Sequence, residues 1–171
     1  MKEISFQNDI LPLKNELFRM ALRITMNREE AEDVVQETMM KVWRRREEWD
    51  QIDSMEAFCL TICRNLSLDK LRRMDNQAQS LADDYDPADY SHASNPEQVV
   101  IQQDRLKLVR ELSSQLPERL RSCMQLRDIE GKSYRDIAEV LGISEQQVKV
   151  NIFRARQSVR ERYQKATNEK K

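Results

Sequence analysis

The sequence predicts an all-α protein with two small helical domains joined by an acidic linker. Only two glycines and four prolines occur in 171 residues, and 35% of the residues are charged, which is typical of helices with few turns. No sustained alternation of apolar and polar residues indicates a sheet. A chain of this length can hold two small domains. We expect them at residues 1–74 and 98–171, with the linker at 75–97.

The first domain is predicted to hold three or four helices. The first helix shows the i, i+3, i+4, i+7 spacing of a core-facing stripe, at Leu17, Met20, Ala21 and Ile24. Asn27 interrupts it, and a second helix opens near Arg28, with acidic residues that favour its dipole. A third helix, from about Met55 to Arg73, is apolar on more than one side. We therefore expect its second face to contact something else.

The segment Asp75–Glu97 is polar and contains two prolines. Residues 74–97 carry six acidic residues and no basic residue. Because the segment has no helical stripe, we expect a flexible linker. A folded acidic element is the alternative.

The second domain is predicted to hold four helices. The first spans Val99–Leu116, with a core stripe at Leu106, Val109 and Leu112. Pro117 opens the next helix and Gly131 ends it. The last two helices follow directly, and we expect the basic tail, residues 154–171, to extend the final helix.

Residues 133–156 have the spacing of a helix-turn-helix, which places its second helix in a DNA major groove. Ala138 is small where the helices cross, Gly142 permits the positive φ of the turn, and Val148 anchors the second helix. Ser133 and Ser144 are expected N-caps. A helical hairpin in an ordinary all-α core is the alternative.

The second helix of this motif, at roughly residues 145–160, would read base edges with its N-terminal half. The candidate readers are Gln146, Gln147, Lys149, Val150 and Arg154. The start of the preceding helix is better placed for phosphates, with Lys132, Ser133, Tyr134 and Arg135. Residues 98–171 carry 16 basic and 10 acidic residues, which suits a polyanion. Each of these side chains taken alone could equally be a solvated polar residue.

The first domain interleaves aromatic and basic residues, a mixture that suits single-stranded bases. It contains Trp43, Trp49 and Phe58 among the cations Arg44, Arg45, Arg46, Arg64, Lys70, Arg72 and Arg73. Aromatic residues at helical spacing are nevertheless more typical of a core. The second helix also carries a polar patch of Asp33, Gln36 and Glu37. That patch is a solvated face unless a protein partner covers it.

Several classes of protein are disfavoured by the composition. No apolar run approaches the ~18 residues of a membrane span, and the N-terminus has no apolar signal core, so we expect a cytoplasmic protein. Cys59 and Cys63 lie one helical turn apart, but with a single histidine we expect core residues rather than half a metal site. We find no nucleophile with a base and no glycine-rich phosphate loop. We expect no metal, no cofactor and no enzymatic activity.

The two halves together resemble the extracytoplasmic-function sigma factors of bacterial RNA polymerase. REEAEDVVQETMMKVWRRREEWD and MEAFCLTICRNLSLDKLRR are similar to region 2 of that family. LPERLRSCMQLRDIEGKSYRDIAEVLGISEQQVKVNIFRARQSVRERY is similar to region 4. The resemblance runs from about Leu11 to Arg162, with the acidic linker in between. It departs from the common pattern at Phe58, where many members have Trp, and at Val150 and Asn151.

The resemblance implies a role for most of these residues. Region 2 would dock on the clamp helices of the polymerase through Asp33, Gln36 and Glu37, and region 4 would lie at the flap. The loop Trp49–Ser54 would hold a base flipped out of the −10 element. The expected −10 contacts are Trp49, Asp50, Asp53, Phe58, Arg64, Asn65, Asp69, Arg72 and Arg73. The −35 element would be read by Lys149, Val150 and Arg154, and the linker would thread toward the RNA exit path.

Core RNA polymerase and promoter DNA are thus the expected partners, and an anti-sigma factor is left open. We expect a monomer when the protein is free and no extra C-terminal domain. The alternative is a stand-alone helix-turn-helix regulator, but neither a dimer seam nor a receiver-like domain is visible in the sequence.

Overall fold

The computed structural model describes residues 3–80 and 100–168, and the side chains of residues 3–76 and 105–168. These ranges contain seven α-helices and no β-strand. The helices are α1 Lys14–Thr25, α2 Arg28–Arg44, α3 Met55–Ser80, α4 Val100–Ser114, α5 Glu118–Met124, α6 Tyr134–Leu141 and α7 Glu145–Asn168. Four short helical turns accompany them, at Phe6–Ile10, Leu11–Leu13, Arg46–Gln51 and Gln125–Ile129. The all-α prediction is confirmed.

The first half is a three-helix unit in which α1, α2 and α3 pack against one another. Met26 adopts φ 54° and ends α1, and the side chain of Asn27 then accepts a hydrogen bond from the backbone N–H of Glu30. This N-cap begins α2 where the stripe of α1 is broken. The predicted stripe of α1 is buried, with Leu17 and Ala21 fully enclosed.

The third helix contacts more than its own half, as its two apolar sides indicated. Beyond α1 and α2, α3 packs against α6 of the second half. It also continues through Ser80, into the segment expected to be linker. The reason is local, because residues 74–80 contain neither glycine nor proline to stop a helix. The rest of the predicted linker, residues 81–97, lies outside the described residues.

In the second half, α4 packs against α7 around a small apolar cluster. Leu112 and Leu116 are buried there, but Leu106 is 57% exposed, so its assignment to the core stripe was wrong. A helix turns 100° per residue, so Leu106 lies 120° from Leu112, whereas Leu108 lies only 40° from it. Leu108 occupies the cluster instead, and Val109 packs there as predicted.

The helix-turn-helix forms from α6 and α7 with the predicted caps. Gly142 adopts φ 68° after α6, a left-handed conformation that costs a glycine little. The hydroxyls of Ser133 and Ser144 accept the backbone N–H groups of Asp136 and Gln147. Val148 is fully buried. The second helix of the motif, α7, is here called the recognition helix. It continues to Asn168, so the predicted extension of this helix into the basic tail is confirmed up to that residue.

The two halves pack together through one shared core. The main apolar cluster contains Leu17 and Leu60 from the first half and Leu126 and Ile137 from the second. Contacts of α1 with α5 and of α3 with α6 join them. Over residues 3–80 and 100–168, no helix has the length and apolar character needed to cross a membrane.

Candidate nucleic-acid and polymerase interface

The recognition helix presents one continuous solvent-facing surface, here called the reading face. It consists of Gln146, Lys149, Val150, Phe153, Arg154 and Gln157, which recur at helical spacing along α7. Val150 is half-buried and the others are exposed. Four of the five predicted readers therefore lie on one face. The fifth, Gln147, is also exposed but lies at the edge of it.

Phe153 is the residue of the reading face that sequence reasoning missed. Its ring is 67% exposed, more than any other large apolar residue described. Large apolar side chains are usually buried away from water, so an exposed aromatic ring on a charged helical face is unusual. In the sequence, Phe153 follows Val150 by three residues and Gln146 by seven, a spacing that places all three on one face of a helix.

Asn151, a departure from the common family pattern, lies on the buried side of α7. Its side chain is 6% exposed, accepts Gln147 Nε2 at 2.9 Å and donates to Cys123 Sγ at 3.8 Å. Asn151 is therefore a core residue that joins α7 to α5. It also fixes one end of the Gln147 side chain.

The four predicted phosphate contacts at the start of α6 do not share one environment. Ser133 and Arg135 are exposed, with the Ser133 hydroxyl used as the N-cap. Tyr134 is half-buried, with Arg127 and Lys149 at 4.3 Å and 5.4 Å from its ring centroid. Lys132 instead faces the first half of the chain. Its ammonium pairs with Glu16 at 2.7 Å and with Glu56.

In the first half, α2 and α3 form a shallow cleft, here called the α2–α3 groove. Its lining is Lys41, Arg44, Arg45, Ile62, Asn65, Leu66 and Asp69. Phe58 lies next to the groove, since the guanidinium of Arg45, which lines the groove, is 4.8 Å from the Phe58 ring centroid. By helical spacing, Phe58, Asn65, Asp69, Arg72 and Arg73 share this side of α3. The structure thus brings five of the nine predicted −10 residues to one surface, beside three cations at and just beyond the C-terminal end of α2.

Trp49 differs most from its expected role. It is 7% exposed, and its Nε1 donates to the carbonyl of Val42 at 3.1 Å. The segment Arg46–Gln51 coils into a short helix around it. The expected loop Trp49–Ser54 is therefore shortened to residues 52–54. Asp53 is exposed in that bend, and Asp50 is exposed in the short helix before it.

Arg64 lies on the opposite side of α3 from the groove. Its guanidinium makes two hydrogen bonds to the carboxylate of Glu118, at 3.1 and 2.9 Å. The two side chains are only 9% and 18% exposed, and Ser122 also donates to Glu118. Arg64 and Lys132, both predicted to bind DNA, are thus paired with carboxylates of the other half of the chain.

A third ion pair, between Arg19 and Glu130, also joins the halves. Around the Lys132 pair, burial raises the pKa of the Glu16 carboxyl despite the neighbouring ammonium. Burial also opposes the charge on Lys132, but hydrogen bonds to Glu16 and Glu56 outweigh it and raise the Lys132 pKa. The interface is thus held by charged groups that are partly withdrawn from water.

We expect Glu118→Gln to lower the free energy of unfolding by about 1–3 kcal/mol, because it leaves the enclosed Arg64 without a counter-charge. Urea unfolding measures the change. The matched control is Glu32→Gln, which removes an ion pair with Arg28 whose side chains are 71% and 56% exposed. That control should change stability by less than about 1 kcal/mol. Equal effects of the two variants would contradict a stabilising role for the buried pair.

The predicted polymerase-docking residues lie on the solvent face of α2. Asp33 and Gln36 are exposed and Glu37 is half-buried. Met40, one turn beyond Gln36, is 51% exposed on the same face. This α2 docking face, defined by Asp33, Gln36, Glu37 and Met40, combines polar groups with an apolar one. No role for Met40 was predicted from the sequence.

Cys59 and Cys63 are core residues, as predicted, and Cys123 is a core residue as well. All three are fully buried. Burial raises the pKa of the Cys59 and Cys63 thiols to about 12 in each case, so both stay protonated near neutral pH. In the described residues, no group of three or more His, Cys, Asp or Glu is placed to hold a metal ion.

Comparison with family models assigns both halves. Residues 10–77 match the model described as Sigma-70 region 2, and residues 106–159 match Sigma-70, region 4. Among solved structures, the chain is similar to the sigma factor RpoE of Bartonella quintana in complex with the anti-sigma factor NepR. The TM-score is 0.75 at 23% identity, covering 91% of this chain and 94% of that one. CnrH in complex with the cytosolic domain of CnrY has a TM-score of 0.68 at 21% identity, covering 93% and 87%.

Two mycobacterial proteins are similar in sequence. ECF RNA polymerase sigma factor SigE of Mycolicibacterium smegmatis is 33% identical over 156 residues, 90% of this chain, which spans 59% of the length of SigE. ECF RNA polymerase sigma factor SigL of Mycobacterium tuberculosis is 32% identical over 145 residues, covering 84% of this chain and 80% of SigL. The chain therefore belongs to the ECF sigma factors of bacterial RNA polymerase, which are transcription initiation factors.

Proposed function

We propose that this sigma factor docks on core RNA polymerase through the α2 docking face and brings two DNA-binding surfaces to a promoter at once. The reading face of α7 would contact the −35 element, and the α2–α3 groove would contact the −10 element. The observation that carries the proposal is that one chain holds both surfaces, one in each half. Because it acts on RNA polymerase, the protein would work in the cytoplasm.

The reading face has the chemistry for a major groove. Gln146 and Arg154 can make paired hydrogen bonds to adenine and guanine, and Val150 can contact a thymine methyl group. Phe153 is exposed between them and offers a further apolar contact to a thymine methyl group. The flanking Ser133 and Arg135 are available for phosphates and would set the position of α7.

The α2–α3 groove has the chemistry for single-stranded DNA. Lys41, Arg44 and Arg45 supply positive charge for the backbone, and Phe58 supplies a ring for stacking. Asn65 and Asp69 can hydrogen-bond to base edges. Contacts to unpaired bases would offset part of the ~1.4 kcal/mol of stacking lost at each step of strand opening. No covalent chemistry is needed.

Trp49 is proposed to act indirectly. By packing under the C-terminal end of α2, it fixes the bend at residues 52–54, in which Asp53 is exposed, and the short helix before it, in which Asp50 is exposed. A flipped base would then be held by that bend rather than by the indole itself.

Run-off transcription with purified core polymerase on a genomic promoter library tests the proposal. We expect a set of start sites that depends on added protein, and weak binding of promoter DNA by the protein alone, because two weak sites joined through the polymerase gain affinity together. A stand-alone regulator would instead bind duplex DNA tightly without polymerase and create no new start site. A protein of the same fold was solved with an anti-sigma factor, so an anti-sigma factor is a further partner that we propose for this chain.

A further inference from the structure

The contacts of Tyr134 differ from those of a phosphate-binding residue. Tyr134 is the first residue of α6, and its side chain is half-buried against the main core cluster. Arg127 lies 4.3 Å from the ring centroid, and its Nη1 donates to the carbonyl of Lys132 at 2.8 Å. The ring therefore packs against the core and against a guanidinium that is itself held by a hydrogen bond.

The same ring is the platform for Lys149. The ammonium of Lys149 lies 5.4 Å from the ring centroid, within the range of a cation–π interaction. Lys149 is exposed on the second turn of α7, next to the fully buried Val148. In the described residues, no carboxylate pairs with Lys149. The ring of Tyr134 is thus the interaction that restricts this long side chain.

The cations around Tyr134 differ in whether a carboxylate pairs with them. Arg156 also lies near Tyr134, but it is paired with Asp128, with Nε at 3.1 Å from Oδ2. Arg127 and Lys149 have no such carboxylate partner in the described residues, and each lies over the Tyr134 ring within cation–π range. A lysine has four rotatable side-chain bonds, and restricting them before DNA arrives removes part of the ordering cost of binding.

We propose that Tyr134 is a positioning residue, whose aromatic ring rather than its hydroxyl orients Lys149 for recognition of the −35 element. This inference rests on the proposed function. It reassigns Tyr134 from a phosphate contact to a determinant of specificity that need not touch DNA.

The test uses holoenzyme assembled from the full chain and core polymerase, on a promoter identified by the run-off experiment. The measured quantity is the ratio of affinities for the natural −35 element and for each single-base variant of it. We compare the natural chain with Tyr134→Phe, Tyr134→Leu, Lys149→Gln and the double variant Tyr134→Leu/Lys149→Gln.

We expect Tyr134→Phe to keep the natural ratio, and Tyr134→Leu to lower it about threefold at the base that Lys149→Gln also affects. The double variant should be no worse than Lys149→Gln alone, because the ring acts through the ammonium. Loss in Tyr134→Phe, additive losses, or an equal loss on all promoters would overturn the inference.

A second measurement does not depend on the stability of Tyr134→Leu. A ring within 5.4 Å shifts the NMR signals of nearby protons, so the Lys149 ε-protons should lie upfield of free lysine in the natural chain and in Tyr134→Phe. Unshifted signals would overturn the inference as well. If the natural holoenzyme starts at no promoter, the proposed function itself fails; if it starts normally but the Tyr134 results are negative, only this inference fails.

Discussion

A double variant, Asp33→Lys with Gln36→Ala, is expected to lose binding to core RNA polymerase by at least about 100-fold. Both side chains are exposed on the α2 docking face and make no hydrogen bond within the described residues. Reversing a charge inside an interface costs several kcal/mol, because like charges are then brought together. Transcription from dependent promoters should disappear with binding.

The fold should be unaffected, since the inward stripe of α2 is untouched. Competition between labelled protein and each variant for core polymerase measures the affinity, and circular dichroism with thermal unfolding checks the fold. Glu47→Lys is the matched control: it reverses an exposed carboxylate beyond the C-terminal end of α2. Equal losses in both variants, or unchanged binding of the double variant, would refute the docking assignment.

Trp49→Ala is expected to lower the free energy of unfolding by about 3–5 kcal/mol. The substitution removes a nearly enclosed indole and its hydrogen bond to the Val42 carbonyl, which keeps the backbone N–H of Arg45 as a donor, at 3.2 Å. Trp49→Phe keeps the ring but loses the N–H, and about 1–3 kcal/mol should be lost. Urea unfolding followed by circular dichroism measures both.

The neighbouring Trp43 provides the control, because it is the same residue type but 48% exposed. It stacks edge-on against Phe6 and Trp49, with ring centroids 5.5 and 6.1 Å away. Trp43→Ala should therefore cost less than half as much as Trp49→Ala. If Trp49→Ala lowers the free energy of unfolding less than Trp43→Ala does, the indole of Trp49 does not support the core. Direct stacking of Trp49 on a base is then the favoured role.

The features that were predictable from the sequence depend on near neighbours along the chain. The caps at Ser133 and Ser144 and the turn at Gly142 are set by residues within four positions. The stripe of α1 follows from its period alone. These signals sufficed for the all-α class and for the helix-turn-helix.

Other features depend on contacts between residues far apart in the sequence, and no local pattern reveals those. Arg64 and Glu118 are 54 positions apart, and Lys132 and Glu56 are 76 apart. A basic residue in a DNA-binding pattern looks the same whether it faces solvent or a carboxylate. Leu106 shows the related limit for packing, since its burial depends on where α7 crosses α4.

The candidate site was predictable to a similar extent. Periodicity placed most of the readers on one face of α7, yet it gave Phe153 no role, because an apolar residue is assigned inward by default. Trp49 shows the converse. The family resemblance implied that Trp49 contacts bases, whereas the helical turn Arg46–Gln51 encloses it.

The pairing of Arg64 with Glu118 has a thermodynamic consequence for promoter binding. The pair occupies the Nε–Nη2 edge of the guanidinium, so a two-pronged DNA contact through that edge would require the Glu118 pair to open. The two equilibria are then linked, and any free energy that holds the halves together at this point is subtracted from the affinity of Arg64 for DNA. Conversely, DNA bound at Arg64 would weaken the contact between the two halves by the same amount.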